Sequence, residues 1–405
     1  MVTLQDILAA RERIRGAIRP SPCPASDYFT ERTRCSAVAF KMENLQRTGA
    51  FKERGALNKL LTLTAEERAR GVVAASAGNH AQGLAYHARR LGVKATIVMP
   101  ERTPLIKVSR TRDEYEARVV LKGANFDEAY AEALRIQAQE NLVFVHPFND
   151  PHVIAGQGTI GLELLEQVPF VDMVLVPIGG GGLISGVACA LKETNPRIQV
   201  VGVQAASIAS MKSSLEAGQV TELAPGATIA EGIAVRKPGD LTFPMVRKYV
   251  DEVVTVDEEE IANAILLLLE QEKSVVEGAG AVGLAALVNG HVPRAVGRNA
   301  VVLLCGGNID MNVISRIIER GLVKAGRLVR LEVSMPDRPG MLARLTAQVA
   351  EQRANVVEIH HNRAFSKTGL GEAMVGLTLE TTGRAHIQEL LGALARQGWQ
   401  ATEET

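Results

Sequence analysis

Stretches that read as strands alternate with stretches that read as helices over most of this chain, and the strand-like ones are almost wholly apolar. Residues 71–75, 95–99, 118–121, 142–145, 173–178, 199–203 and 301–304 have the strand character, preceded by a short strand at 38–42. Helical spacing fills the intervals at 80–91, 126–139, 159–167, 183–193 and 257–273, and Pro104 opens another helix. A strand that is apolar on both faces must be covered on both, and parallel neighbours need a crossover helix between them. The expected fold class is therefore α/β, with parallel sheets clad by helices. Ligands of such sheets bind beyond the carboxyl ends of the strands, so the loops there are where chemistry is to be sought.

The two ends of the chain depart from this alternation. Leu4, Ile7, Leu8, Ile14 and Ile18 share a face of an opening helix, which ends before the extended connector Pro20-Ser21-Pro22-Cys23-Pro24. Near Gly326 the pattern changes to half-exposed strands, with Leu331 and Val333 alternating with polar residues. Asp337-Arg338-Pro339-Gly340 is a turn into a helix whose apolar face is Leu342, Leu345 and Val349. Strands at 356–360 and 373–379, joined by a loop at Lys367-Thr368-Gly369, precede a helix at 387–395 and a short strand around Trp399. This is a β-α-β-β-α-β unit, expected as a separate domain over 328–405. Residues 321–327 are its expected linker, and 1–320 form the larger part, with a smaller subdomain at about 41–150 inserted in it.

Bulk properties remove several function classes. Forty-five basic and 45 acidic residues leave a formal charge of zero, so nothing favours nucleic acid or an anionic membrane as partner. The apolar run 265–269 is too short to span a bilayer, and the start of the chain has no secretory pattern. Cys23, Cys35, Cys189 and Cys305 have neither metal-ligand spacing nor a disulfide pattern, which suits a reducing cytoplasm.

Three loops at strand ends carry candidate chemistry. Lys52 stands in Thr48-Gly49-Ala50-Phe51-Lys52-Glu53-Arg54-Gly55-Ala56, at the start of a helix through Leu61. Ser76-Ala77-Gly78-Asn79-His80 follows a strand, as does Gly179-Gly180-Gly181-Gly182. Backbone amides of a glycine run at a helix N-terminus can converge on a phosphate, or the glycines can simply relieve crowding. No Lys-Ser/Thr pair follows and the spacing is not the dinucleotide fingerprint, which favours a smaller phosphate ligand. Ser76 to His80 reads either as an N-cap or as a polar cradle, and His80 by itself as helical packing. Glu277, in a small apolar loop, is either structural or a carboxyl raised by burial into the range for proton transfer. Cys305 is either a core residue or a thiol facing a ring nitrogen. Together a lysine amine, a polar turn and a glycine cradle suggest an anionic cofactor bound through an imine.

Phe51-Lys52-Glu53-Arg54-Gly55-Ala56, Ser76-Ala77-Gly78-Asn79-His80-Ala81-Gln82-Gly83 and Ala155-Gly156-Gln157-Gly158-Thr159 resemble the threonine dehydratase (threonine ammonia-lyase) family. Gly179-Gly180-Gly181-Gly182-Leu183 and Cys305-Gly306-Gly307-Asn308 belong to the same resemblance. It implies a fold-type-II pyridoxal-phosphate enzyme, similar to the tryptophan synthase β fold with two parallel-sheet subdomains, and pyridoxal 5'-phosphate as cofactor. Lys52 would form the imine and then act as base at the substrate Cα. Phe51 would pack beside the ring, Asn79 bond its 3-hydroxyl, Cys305 face its nitrogen, and the amides of Gly179, Gly180, Gly181, Gly182 and Leu183 hold its phosphate. Ser76, Ala77, Asn79 and His80 would cradle the substrate carboxylate with Gly156 nearby, and Phe148 would suit a substrate methyl.

A neutral thiol, with an ordinary pKa of about 8.5, cannot hold a ring proton as a carboxylate would, which favours loss of a β-substituent over transamination. Ala77 stands where serine racemases of this family use a second serine, so racemisation is not expected. Gln204 and Ser210 stand where racemases carry acidic metal ligands, so no metal is expected. The resemblance thus implies deamination of L-threonine to 2-oxobutanoate, with side activity on L-serine, in a homodimer or homotetramer. Serine dehydratase or serine racemase is the alternative enzyme, and an amino-acid-binding regulatory protein with a vestigial lyase half the alternative of another class. Residues 328–405 are similar to ACT regulatory domains, with Asp337, Arg338, Gly340, Met341, Leu342 and Asn355 as a candidate pocket for isoleucine or valine.

Overall fold

β1 (Ala37–Met42) lies in one sheet with β6 (Met173–Pro177), β7 (Gln199–Ala205), β8 (Glu252–Val256) and β9 (Asn299–Leu304), although a second sheet intervenes in sequence. That second sheet holds β2 (Val72–Ala75), β3 (Ala95–Met99), β4 (Arg118–Leu121) and β5 (Val143–Phe144). The computed structural model describes residues 1–362 and 371–404, so the loop expected at Lys367-Thr368-Gly369 lies outside the described residues. The larger sheet has the order β1-β9-β6-β7-β8 and the smaller β4-β3-β2-β5, every pair parallel. The chain therefore leaves the first sheet after one strand, builds the second, and returns. Burial follows position: β2 and β3 are buried throughout, while the sheet edges β4 and β5 are only partly covered.

Three expectations need correction. The opening helix ends at Ile14, not at residue 18, because the chain turns at Gly16 with a φ of +74°. The helix expected at 159–167 starts at Pro151, where Asp150 caps it by accepting from the amides of His152 and Val153 at 2.8 and 3.1 Å. Gly156 and Gly158 hid that first half by their poor helix propensity, yet they and Gly161 each meet a neighbouring helix closely. A Cβ on Gly156 would lie 2.6 Å from the Gly55 Cα, and one on Gly161 2.9 Å from the Val187 carbonyl. The small apolar loop expected around Glu277 is the start of a helix, Gly278–Val288, which is buried nearly all round. A helix apolar on every face has no periodicity to read. By contrast, the capping box expected at Asp257 is present: its carboxylate accepts from the Glu260 amide at 2.8 Å, and Glu260 accepts from the Asp257 amide at 2.9 Å.

Two compact units divide between Ile309 and Asp310. The second opens with a helix, Met311–Lys324, whose end lies within the stretch read as a linker. Then follow β10 (Leu328–Pro336), β11 (Asn355–Asn362), β12 (Glu372–Glu380) and β13 (Gln400–Glu403), antiparallel in the order β11-β12-β10-β13. Val329, Leu331, Val333 and Met335 point inward from β10, alternating as a half-covered strand must. Leu345 and Val349 of the helix Met341–Glu351, and Ile387, Leu390 and Leu394 of the helix Arg384–Arg396, pack against them.

Candidate active site

Lys52 is the first residue of the helix Lys52–Leu61, and its amine donates to the Pro147 carbonyl at 2.7 Å, 5.2 Å from the centre of the Phe51 ring. The loop before it is pinned to the end of β9. The Phe51 amide donates to the Cys305 carbonyl at 3.1 Å, and the Gly307 amide to the Gly49 carbonyl at 2.9 Å. Asn308 completes the junction, donating to the Thr48 carbonyl at 2.8 Å and to the Asn79 side-chain oxygen at 2.9 Å. Gly49 holds a φ of +74° with Asn308 directly against it, so a side chain there would be both strained and crowded.

The charges at this junction are shifted toward neutrality. Burial lowers the Lys52 amine from its ordinary 10.5 to about 8, with Cys305 and Glu277 opposing the shift. Burial also raises Glu277 to about 7, against the pull of Asn79, whose amide donates to its carboxyl at 2.7 Å. The Cys305 thiol, 2% exposed, is pushed well above its ordinary range by burial and by Glu277, so it stays protonated. Near neutral pH Lys52 is therefore a free amine far more often than an unshifted lysine.

The glycine run lies between β6 and the helix Gly182–Thr194. Gly181 has a φ of +95°, and a Cβ on it would meet Met211 and Thr242 at 2.8 Å. Thr242 fixes the run from outside by donating to the Gly180 carbonyl at 2.5 Å. The Phe148 ring covers Gly180, and Phe148 also crowds Gly182, so a side chain at either would overlap it. Leu183 is buried behind. Bare amides at a helix N-terminus, together with an amine partly neutral near pH 7, fit a phosphate-bearing aldehyde.

Ser76, Ala77 and Gly78 connect β2 to the helix Asn79–Arg90, and the Ser76 hydroxyl accepts from the Gly78 amide at 3.2 Å. The His80 side chain is engaged elsewhere, its Nε2 donating to the Val145 carbonyl at 2.9 Å, which leaves only its backbone amide for a ligand. Burial, then Lys52, lowers its pKa to about 3, so the ring is neutral. Gly156 lies where its helix crosses Lys52–Leu61, with the Arg54 and Gly55 backbone filling the space beside it. At Gln204 the side-chain oxygen accepts from the Lys212 amide at 2.9 Å, and Ser210 donates to the Val235 carbonyl at 2.6 Å. Among the described residues, no three His, Cys, Asp or Glu side chains are grouped to hold a metal.

Of the effector candidates, Asp337 and Arg338 lie in the turn after β10, and Gly340, at a φ of +86°, starts the helix Met341–Glu351. Met341 and Leu342 are partly buried on the C-terminal core. Asn355 opens β11 opposite Glu380, to which its amide donates at 2.8 Å.

Sequence reasoning missed an ion network behind Lys52. Arg54, fully buried, binds Glu43 through two hydrogen bonds of 2.8 Å and Glu163 through two of 2.6 and 2.9 Å. Lys41 joins Glu163 at 2.5 Å and also donates to the Ser21 carbonyl at 2.8 Å. Arg54, Lys41, Glu43 and Glu163 balance in charge, as buried ions must. Asn308, the last residue of the Cys305-Gly306-Gly307-Asn308 motif, and His146, two residues before Phe148 with its Nδ1 accepting from the Phe148 and Asn149 amides, were given no role of their own by the sequence.

Among known families, residues 14–306 match the model described as pyridoxal-phosphate dependent enzyme, and residues 329–397 match the ACT domain. The chain is 52% identical over 400 residues to an L-threonine ammonia-lyase of Thermotoga maritima, covering 99% of each. Its fold is similar to that of maize serine racemase, with a TM-score of 0.75 and 35% identity over 80% of this chain and 98% of that one. It is similar also to the processed form of threonine deaminase isoform 2 from Solanum lycopersicum, with a TM-score of 0.74 and 37% identity over 78% of this chain and 91% of that one.

Proposed function

This chain belongs to the pyridoxal-phosphate dependent enzymes and carries a C-terminal ACT domain, and from that premise we propose that it deaminates L-threonine to 2-oxobutanoate and ammonia. The observation that carries the reading is the Lys52 amine, held on the Pro147 carbonyl at 2.7 Å in the turn whose Phe148 covers the glycine run, with burial lowering its pKa to about 8. Pyridoxal phosphate, when bound, supplies an aldehyde that captures amines and a ring that draws electrons from the substrate Cα. Lys52 is the residue that would tether it and, once freed, take the Cα proton. Gly179, Gly180, Gly181, Gly182 and Leu183 would bind the phosphate through their amides, and Phe51 would wall the ring. Cys305, which burial keeps protonated, would face the ring nitrogen without offering it a negative charge, and this supports loss of the β-hydroxyl over transamination. Asn79, held between Glu277 and Asn308, would bond the ring hydroxyl.

Ser76, Ala77 and the amides of Asn79 and His80 would hold the substrate carboxylate. Ala77 has no proton to exchange, which supports elimination over racemisation despite the likeness to a serine racemase. Turnover of L-serine, control by isoleucine or valine at Asp337 to Leu342 and Asn355, and a homo-oligomeric cytoplasmic enzyme complete the reading. Its test is borohydride reduction of the holoenzyme followed by peptide mapping, with 2-oxobutanoate, pyruvate and D-serine assayed in parallel. A label on Lys52 and 2-oxobutanoate from L-threonine are expected; a label elsewhere, or D-serine as main product, refutes it.

A further inference from the structure

The turn 146–149 touches three parts of the site, and one histidine holds it in shape. His146 Nδ1 accepts from the Phe148 amide at 3.2 Å and from the Asn149 amide at 2.8 Å. That nitrogen therefore carries no proton, and the neutral ring carries its hydrogen on Nε2. Three contacts depend on the turn so fixed. Pro147 presents the carbonyl that accepts from Lys52. Phe148, edge-on to the imidazole at 4.6 Å and 87°, covers Gly180 and Gly182. Asn149 accepts from the Leu241 amide at 2.9 Å, beside Gly239, whose amide donates to the Gly180 carbonyl at 3.3 Å. The lysine and the glycine run thus share one support.

We propose that His146 is a positioning residue, which by accepting both amides of the turn holds the Pro147 carbonyl where the freed Lys52 amine docks between steps of the reaction. This rests on the reading of Lys52 as the tethering lysine and base. A released lysine has four flexible methylenes to confine, and misplacing a reacting group by 1 Å costs on the order of 100-fold in rate. One acceptor at 2.7 Å supplies that confinement. The groups facing His146 are the Lys52 amine, the Asp150 carboxylate, the His80 imidazole and the Tyr130 ring at 6.0 Å. Burial, then Lys52, lowers the His146 pKa to about 4, with Asp150 opposing, so its acceptor persists across neutral pH.

The test compares His146→Leu with His146→Asn in the holoenzyme, since the asparagine oxygen reaches roughly where Nδ1 stands and can still accept. Both variants should bind cofactor with the absorbance of the native enzyme. His146→Leu should lose about 10- to 100-fold in kcat with KM within about threefold, and His146→Asn should recover most of the loss. Native kcat in His146→Leu, or equal losses in the two variants, would overturn the proposal. Should His146→Leu fail to fold, nitrogen NMR of histidine-labelled native holoenzyme decides, with His146→Asn providing the assignment. A neutral ring with bare Nδ1 between pH 6 and 8 is expected, and a protonated Nδ1 overturns it. Imine absorbance persisting in Lys52→Ala would instead strike the lysine reading, leaving the His146 hydrogen bonds untouched.

Discussion

Lys52 and Glu277 show how a shared burial acts on opposite charges: it takes the proton from the amine and gives one to the carboxyl. For Glu277 the sign of the effect on stability can be worked out. Its folded pKa is about 7 against an ordinary 4.5, so between these values the folded chain binds more protons than the unfolded one, and stability falls as pH rises through that window. Replacing Glu277 by Gln removes the titration. In the cofactor-free protein, Glu277→Gln should gain on the native chain between pH 5 and pH 8, by about 3 kcal/mol at most. Thermal melts at the two pH values read this, and a gap that does not grow with pH would show the carboxyl to be unperturbed. For Lys52 the window lies higher: the folded amine has its proton removed at about 8, so that group contributes rising stability between pH 8 and 10.5.

At the scale of elements, the helix Lys52–Leu61 is fixed on one side by the Arg54 network and on another by its crossing with Pro151–Gln167. Arg54→Met would leave the fully buried Glu43 without its ion-pair partner and Glu163 with Lys41 alone, and should cost about 3 to 5 kcal/mol, read as a lower denaturant midpoint. Gly156→Ala places a methyl against backbone, which cannot swing aside as a side chain would. It should cost about 1 to 3 kcal/mol by the same measurement, and its crowding falls on the residues just after Lys52. These elements also mark what could be read from sequence. The strands β2, β3 and β6 announced themselves as short apolar runs, and the Ser76–His80 turn after β2 and the glycine run after β6 as motifs at strand ends. The helix Gly278–Val288 did not, being apolar all round, and the edge strand β8 was given no assignment. The Arg54 network was invisible for another reason. Lys41, Glu43, Arg54 and Glu163 each look like surface charge until the fold brings residues 109 and 122 apart into contact.

For the whole molecule, every group of the Lys52 site lies between Thr48 and Asn308, and the compact unit that contains them ends at Ile309. An effector in the second unit can act only by binding two states of the chain with different affinity. A chain ending at Ile309 removes that bias and leaves the first unit to its own equilibrium. It should keep deaminating L-threonine at a kcat within a few-fold, roughly 2 to 5, of the full chain, and lose any response that the full chain shows to isoleucine or valine. The direction of the change in kcat then carries information: a faster truncated chain means that the unliganded ACT domain restrains the catalytic unit, a slower one that it supports it. Formation of 2-oxobutanoate by both chains, with and without each amino acid, makes the comparison. A truncated chain that folds and binds cofactor yet turns nothing over would place part of the catalytic machinery beyond Ile309, against the closure of the site around Lys52.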